Sequence, residues 1–145
     1  MNYGRLVAAA LAATVMDAVY GFVVWGQLLS REFGRYPDIY RPAGDMSGFA
    51  LMFVGIFVGM CAAAWIYAKG YEGGIGSVEG LKFGVVVGLL MAAYNSSANY
   101  GTMRIGKRLA ATYLAGGFGE WLVAGIVIGL VYKPAARMVK RGAGV

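Results

Sequence analysis

Charged residues divide the chain into four long apolar runs. Between Arg5 and Arg31 the only formal charge is Asp17, and nothing charged interrupts Met46 to Ala68. Phe83 to Met103 is uncharged between Lys82 and Arg104, and Leu109 to Tyr132 holds a single acid, Glu120, between Arg108 and Lys133. Runs of about twenty apolar residues match the roughly 30 Å hydrocarbon core of a bilayer, at about 1.5 Å of rise per helical residue. In that core a helix satisfies its backbone polar groups within one segment. The pattern predicts an all-α fold, a polytopic membrane protein built as a four-transmembrane-helix bundle. The spans are expected at 6–30, 46–68, 83–103 and 109–133 of a single transmembrane domain, 1–145.

The first run could also be read as a secretory signal, because Arg5 and the alanines that follow look like its basic and apolar regions. The length of the run, its interruption by Asp17 and Tyr20, and the lack of a small-residue cleavage site after a short apolar region favour a retained helix. The segment from Arg31 to Asp45 reads as a loop punctuated by Pro37 and Pro42. Its Phe33, Tyr36 and Tyr40 alternate with Arg35 and Arg41, as suits a headgroup interface or a surface for another subunit. Gly70 to Glu79 reads as a glycine-rich hairpin. It lacks the Lys-Ser/Thr pair and the preceding strand of a phosphate-binding loop.

Three runs carry a GxxxG motif: Gly55 and Gly59, Gly84 and Gly88, Gly125 and Gly129. Lipid supplies little hydrophobic force between helices, so close backbone approach at small residues drives their packing. These six glycines are the expected helix-packing positions of a tight bundle or oligomer.

The acids of the first and fourth runs lie near mid-span. A charge there costs about 2.5–3.5 kcal/mol on insertion scales, so such a residue is expected to be functional or compensated. At helical spacing Asp17 shares its face with Ala10, Ala13, Thr14, Tyr20, Gly21 and Val24. Glu120 shares its face with Tyr113, Gly116, Gly117 and Ala124. On the third run Gly80, Gly84, Gly88, Ala92, Asn95 and Asn99 follow one another at steps of three and four. The polar groups therefore sit on small-residue faces, where helices meet. Asp17, Glu120, Asn95, Asn99 and Tyr20 form the expected inward-facing set, either a hydrogen-bonded plug that fixes helix register or a cavity for a proton, a cation or a small polar ligand. No Lys or Arg lies at that depth. A protonated carboxyl is expected to donate to Asn95, Asn99, Thr14 or a tyrosine hydroxyl.

Composition narrows the function classes. The chain has no histidine, which excludes His-ligated haem, His metal sites and His-dependent catalytic triads. No nucleophile–base set is visible, so the chain is expected not to be an enzyme and to need no cofactor or metal. The lone Cys61 cannot form an internal disulfide. The net charge of +6 comes from residues at the ends of apolar runs, so membrane lipids with anionic headgroups, and no nucleic acid, are the expected partners. With four spans, Arg5, Lys69, Lys82, Lys133, Arg137, Lys140 and Arg141 fall on one side, seven basic residues against six on the other. Positive-inside counting places both termini in the cytoplasm.

The first run with Asp17, Tyr20-Gly21 and Trp25-Gly26, the loop with Phe33-Gly34-Arg35, and the Asn/Ser-rich third run together resemble small bacterial four-helix integral membrane proteins grouped only as domains of unknown function. The resemblance implies a bacterial inner membrane protein and supplies neither an activity nor a site. Two roles follow from the residues. One is a non-catalytic accessory or structural subunit of a membrane complex, packing against other membrane subunits or against copies of itself. The alternative is a small oligomeric transporter or channel that uses the mid-span carboxylates.

Overall fold

The computed structural model describes residues 1–42 and 44–132, and among them the chain is all-helical. Helix α1 (Tyr3–Tyr20) continues without a break into a π-helical segment, Gly21–Leu28. A single-turn helix α2 (Ser30–Phe33) and a loop lead to α3 (Phe49–Gly70), then α4 (Gly76–Thr102) and α5 (Lys107–Val131). Four helical stretches, Tyr3–Leu28, Phe49–Gly70, Gly76–Thr102 and Lys107–Val131, are long and apolar enough to cross a membrane. Only 17–28% of the most apolar part of each is buried inside the chain. The outward surfaces carry Phe22, Leu51, Val86, Leu90 and Leu130, which suits lipid as the solvent. The expected end of the last span at 133 and the basic residues Lys133, Arg137, Lys140 and Arg141 lie outside the described residues.

Local chemistry sets the helix ends. The Asn2 side chain caps α1 by accepting from the Arg5 amide at 3.2 Å, which satisfies one of the orphan donors of a helix start. The connection between α3 and α4 is shorter than expected, because α4 begins at Gly76 rather than at Phe83. Two features extend it. The Glu79 carboxylate reaches back to accept from the amides of Glu72 (3.1 Å) and Gly74 (2.5 Å). Gly76 and Gly80 also lie against the backbone of α5, so tertiary packing overrides the poor helix propensity of glycine. With Glu79 occupying its amides, the glycine-rich turn offers no free cradle for a phosphate.

The packing order is α4 on α5, α5 on α1, and α1 on α3; α3 barely meets α5. The α4–α5 contact is backbone on backbone. Gly76, Gly80, Gly84 and Gly88 recur every four residues and face Gly125, Gly129, Trp121 and Phe118. A Cβ on Gly84 would stand 2.6 Å from the Trp121 carbonyl oxygen, and one on Gly80 or Gly129 would fall inside the facing glycine's carbonyl oxygen. Two of the three GxxxG pairs, Gly84/Gly88 and Gly125/Gly129, are therefore used within the chain. The third, Gly55/Gly59, is not: a Cβ at either would meet nothing within 4 Å. α3 instead approaches α1 through Met60, Ala63, Ala64 and Tyr67, one turn and more toward the opposite end.

The two ends of the bundle differ as a result. At the end holding the α3–α4 turn (the hairpin end), Leu6, Ala9, Ala10, Ala13, Ala63, Ala64, Ala124 and Ile128 close into one core, capped by edge-to-face contacts of Tyr67 with Phe83 and Tyr132. At the other end (the loop end), α3 diverges from α1 and α5, and polar contacts hold the connections. Glu32 pairs with Arg108 at 2.6 Å, the Gly106 amide donates to the Tyr36 hydroxyl at 3.0 Å, and the Tyr40 and Tyr113 hydroxyls hydrogen-bond.

Replacing Gly129 by Val is expected to lower stability by about 1–3 kcal/mol, the usual cost of overpacking, whereas Gly59→Ala should stay within about 0.5 kcal/mol of the parent, as for a change that touches nothing. Unfolding of the detergent-solubilised protein by a denaturing-detergent titration measures both; equal losses would refute the assignment of the packed glycine faces.

Candidate functional site

Asp17 is 8% exposed on the face of α1 that also holds Ala10 and Ala13, which are fully buried. These methyl groups let α1 come close to α5 at Ala124, and the approach carries Asp17 to Glu120. The two carboxyl groups lie within hydrogen-bonding reach of each other. A hydrogen bond between two carboxyls needs a proton on one of them, since a carboxylate only accepts. Glu120 also accepts from the Trp25 indole Nε1 at 3.2 Å. Asp17 stands near the middle of Tyr3–Leu28 and Glu120 near the middle of α5, so the pair sits at mid-depth of the bundle.

The surroundings of the pair differ from expectation in three ways. Tyr20 does not bond a carboxyl: its hydroxyl donates to the Gly116 carbonyl at 2.8 Å, bracing α1 against α5 one turn from Glu120. Thr14 donates to its own helix, to Ala10 O at 2.8 Å. On α4 the buried stripe continues from Ala92 to Ser96, which donates to Ala110 O at 2.6 Å, so Ser96 and not Asn95 is the polar group at the helix contact. Asn95 is exposed toward the side and Asn99 half-buried, and neither bonds either acid. Both nonetheless line a cavity with Glu120.

Trp25 was not among the expected residues, and the backbone explains why. Continued α-helix would bring Val24 round to the face of Asp17. In the π segment each residue turns through less angle, as the Leu29 amide bonding back to Val24 O at 2.9 Å marks. That underwinding returns Trp25 to the Asp17 face. Its ring fits over Gly116, where a Cβ would stand 2.5 Å from the ring edge. Phe33 and Tyr113 pack against the indole at 6.0 and 6.1 Å between ring centroids. The pairing of Glu32 with Arg108, which fastens α2 to the start of α5, was likewise unforeseen, because sequence spacing says nothing about a contact between a loop and a distant helix.

Two cavities meet at Glu120. The smaller, of about 210 Å³, lies between the π segment, α4 and α5 and is lined by Trp25, Trp121, Tyr113, Asn95, Asn99 and Glu120, with Met91 and Ala92. The larger, about 1420 Å³, is the groove left where α3 diverges from α1. Its floor holds Asp17 and Glu120, its walls Phe22, Gly26, Phe53, Gly55 and Gly59, and its mouth Arg41 and Asp45 at the loop end. The exposed GxxxG of α3 therefore forms one wall of a cavity. Trp25, Met91, Glu120 and Trp121 line both spaces. The hairpin end is closed by the core described above, so the acid pair is reached from the loop end or from the side. Among the described residues no group of three or more His, Cys, Asp or Glu could hold a metal ion.

At the mouth, the Asp45 carboxyl is held down to about 2 from its ordinary 3.8 by the Ser47 hydroxyl and amide and by Arg41. The Ser47 amide donates to it at 2.9 Å and Arg41 pairs with it at 3.0 Å. Nearby, burial, followed by contact with the Tyr113 hydroxyl, raises Tyr40 above the usual phenol range, so that it stays a neutral partner of Tyr113.

Comparison with protein-family models, with curated proteins and with solved structures gives no match.

Two outcomes are expected. Because the Asp45 pKa is depressed on folding, the Arg41–Asp45–Ser47 contacts are intact above the unfolded carboxyl value of about 3.9 and are lost as pH falls through about 2. The Ser47 amide resonance should shift with that low midpoint, and the shift should vanish in Asp45→Asn. Trp25→Phe removes the N–H that Glu120 accepts and the outer indole atoms that lie over Gly116. It should cost more than the roughly 0.6 kcal/mol typical of one hydrogen bond between membrane helices, as measured by reversible unfolding in detergent.

Proposed function

We propose that the protein is a small, non-enzymatic membrane transporter in which Asp17 and Glu120 bind and release a proton in exchange for a cationic ligand. The observation that carries this reading is the meeting of the two mid-depth carboxyls on the floor of the groove, with Glu120 also on the wall of the smaller cavity. A structural plug would bury such a pair against other polar groups. Here the groups that could have satisfied it, Tyr20, Thr14 and Ser96, are bonded to backbone carbonyls instead. The acids are left to each other, to Trp25 and to open space. Intramembrane acids facing a cavity serve proton relays and ion paths. The location fits a bacterial inner membrane with both termini in the cytoplasm, so the groove would open toward the outer side.

A second reading rests on one observation. Gly55 and Gly59 lie bare on α3 and a helix-packing motif without a helix invites another one. As an accessory subunit the protein would receive a neighbouring transmembrane helix, from a larger complex or from a second copy, along that wall.

Proton flux separates the two. Purified protein in liposomes with an internal pH dye should move protons faster than protein-free vesicles when a gradient of sodium, potassium or an alkylammonium is imposed. Asp17→Asn and Glu120→Gln, singly and together, should reduce the flux at least about tenfold, the effect of losing some 1.4 kcal/mol, while helical content stays unchanged by circular dichroism. Wild-type vesicles that move no more protons than empty ones under every such gradient, or a double variant that moves them as well as the parent, would sink the transport reading and leave the accessory role.

A further inference from the structure

The smaller cavity has a lining that the proton exchange alone does not require. From the geometry we infer that it is a binding site for a small organic ammonium ion, with Trp25, Trp121 and Tyr113 as its aromatic walls and Glu120 as its counter-charge. The inference deepens the transport reading, from which it takes the exchange of ligand against proton at Glu120.

Four features of the cavity select this chemistry. It holds about 210 Å³, the scale of a small organic ion rather than of a bare metal ion. Three aromatic side chains line it, and the face of an indole or phenol ring attracts an alkylammonium that has lost its water, with Trp the best of them. Its one ionisable acid is Glu120, and no Lys or Arg lines it, so an anion has nothing to pair with. Asn95 and Asn99 line it from α4, and their side-chain amides make no hydrogen bond to another described residue, which leaves them for an N–H or hydroxyl on the ligand. A site for a divalent cation would need more oxygen donors than one carboxylate and two amides provide.

The position of the cavity also matters. Glu120 lies on its boundary with the groove, and Asp17 reaches Glu120 from the groove side. When an ammonium takes the counter-charge of Glu120, a proton that leaves Glu120 has a route into the groove past Asp17. No bond other than that to the proton is made or broken, and charge balances as one cation enters for one proton that leaves.

The test is calorimetric titration of the full chain in lipid nanodiscs with choline and with its neutral isostere 3,3-dimethylbutan-1-ol, which has the same shape without the charge. The inference expects choline to bind at least about tenfold more tightly than the isostere, the size of a desolvated cation–π and charge contribution. Trp121→Leu and Glu120→Gln should each weaken choline by a similar factor, and Asn95→Leu should weaken it a few-fold. Equal binding of choline and the isostere overturns the inference, and because that comparison uses the unaltered chain it holds even if a variant fails to fold. Choline binding that ignores Trp121→Leu and Asn95→Leu overturns the location. Proton flux without choline binding refutes the ammonium site and spares transport; choline binding without proton flux refutes transport and spares the site.

Discussion

The contact on which the rest depends is backbone against backbone between α4 and α5. In lipid, helices gain little from hiding apolar surface from each other, so a stable pair needs atoms in close contact over a long seam. Glycine every four residues from Gly76 to Gly88 supplies that seam. With α4 fixed along it, α5 presents its other faces to α1, and the alanine face of α1 can reach it. Asp17 meets Glu120 because Ala10, Ala13 and Ala124 bring two backbones near enough for short acidic side chains to touch. Larger residues at those positions would hold the helices apart and leave each carboxyl alone in hydrocarbon, at the full cost of an unpaired charge.

The same economy of small residues explains why the bundle is closed at one end only. α3 has its packing alanines at Ala63 and Ala64 and bulky side chains at Phe49, Met52 and Phe53. It can lie close to α1 near the hairpin and must diverge toward the loop. The polar contacts of the loop end, Glu32 with Arg108 and Tyr36 with the Gly106 amide, tie α2 to the α4–α5 connection and not to α3. Among the described residues, the packing that holds α3 lies at its hairpin end.

The four spans, the matching depth of Asp17 and Glu120 and the α4–α5 glycines were legible in the sequence, for a common reason: each is a periodic or depth-dependent signal, and the membrane enforces both. Charge interruptions give depth, which matched Asp17 with Glu120. Four-residue spacing gives a face, which identified Gly80, Gly84 and Gly88. The unreadable parts depend on which neighbour a face meets. Gly55 and Gly59 carry the same motif as Gly125 and Gly129, and only tertiary placement decides that one pair is packed and the other lines a cavity. Asn95 and Ser96 are adjacent in sequence, and a small rotation of α4 decides which of them meets Ala110. The seven-residue extension of α4 to Gly76 was hidden because glycines read as a turn until a partner backbone is placed against them.

Trp25 shows the limit most clearly, because the error lay in the assumed helix itself. Ideal α-helical spacing assigns Val24 to the face of Asp17, and a π segment beginning at Gly21 gives that place to Trp25. One helix thus presents Asp17 by α-helical geometry and Trp25 by π-helical geometry to the same carboxyl, Glu120. Straightening the segment to an α-helix would keep Asp17 in place and swing the indole away, which would remove the N–H from Glu120 and an aromatic wall from the smaller cavity in one step. π segments inside helices occur often at functional sites and cost the regular hydrogen-bond ladder. Here that cost coincides with a residue that bonds Glu120 and lines both cavities, and the segment is flanked by the groove on the side where α3 stands away. The site's one irregular element therefore lies where a change of helical winding meets the least packing.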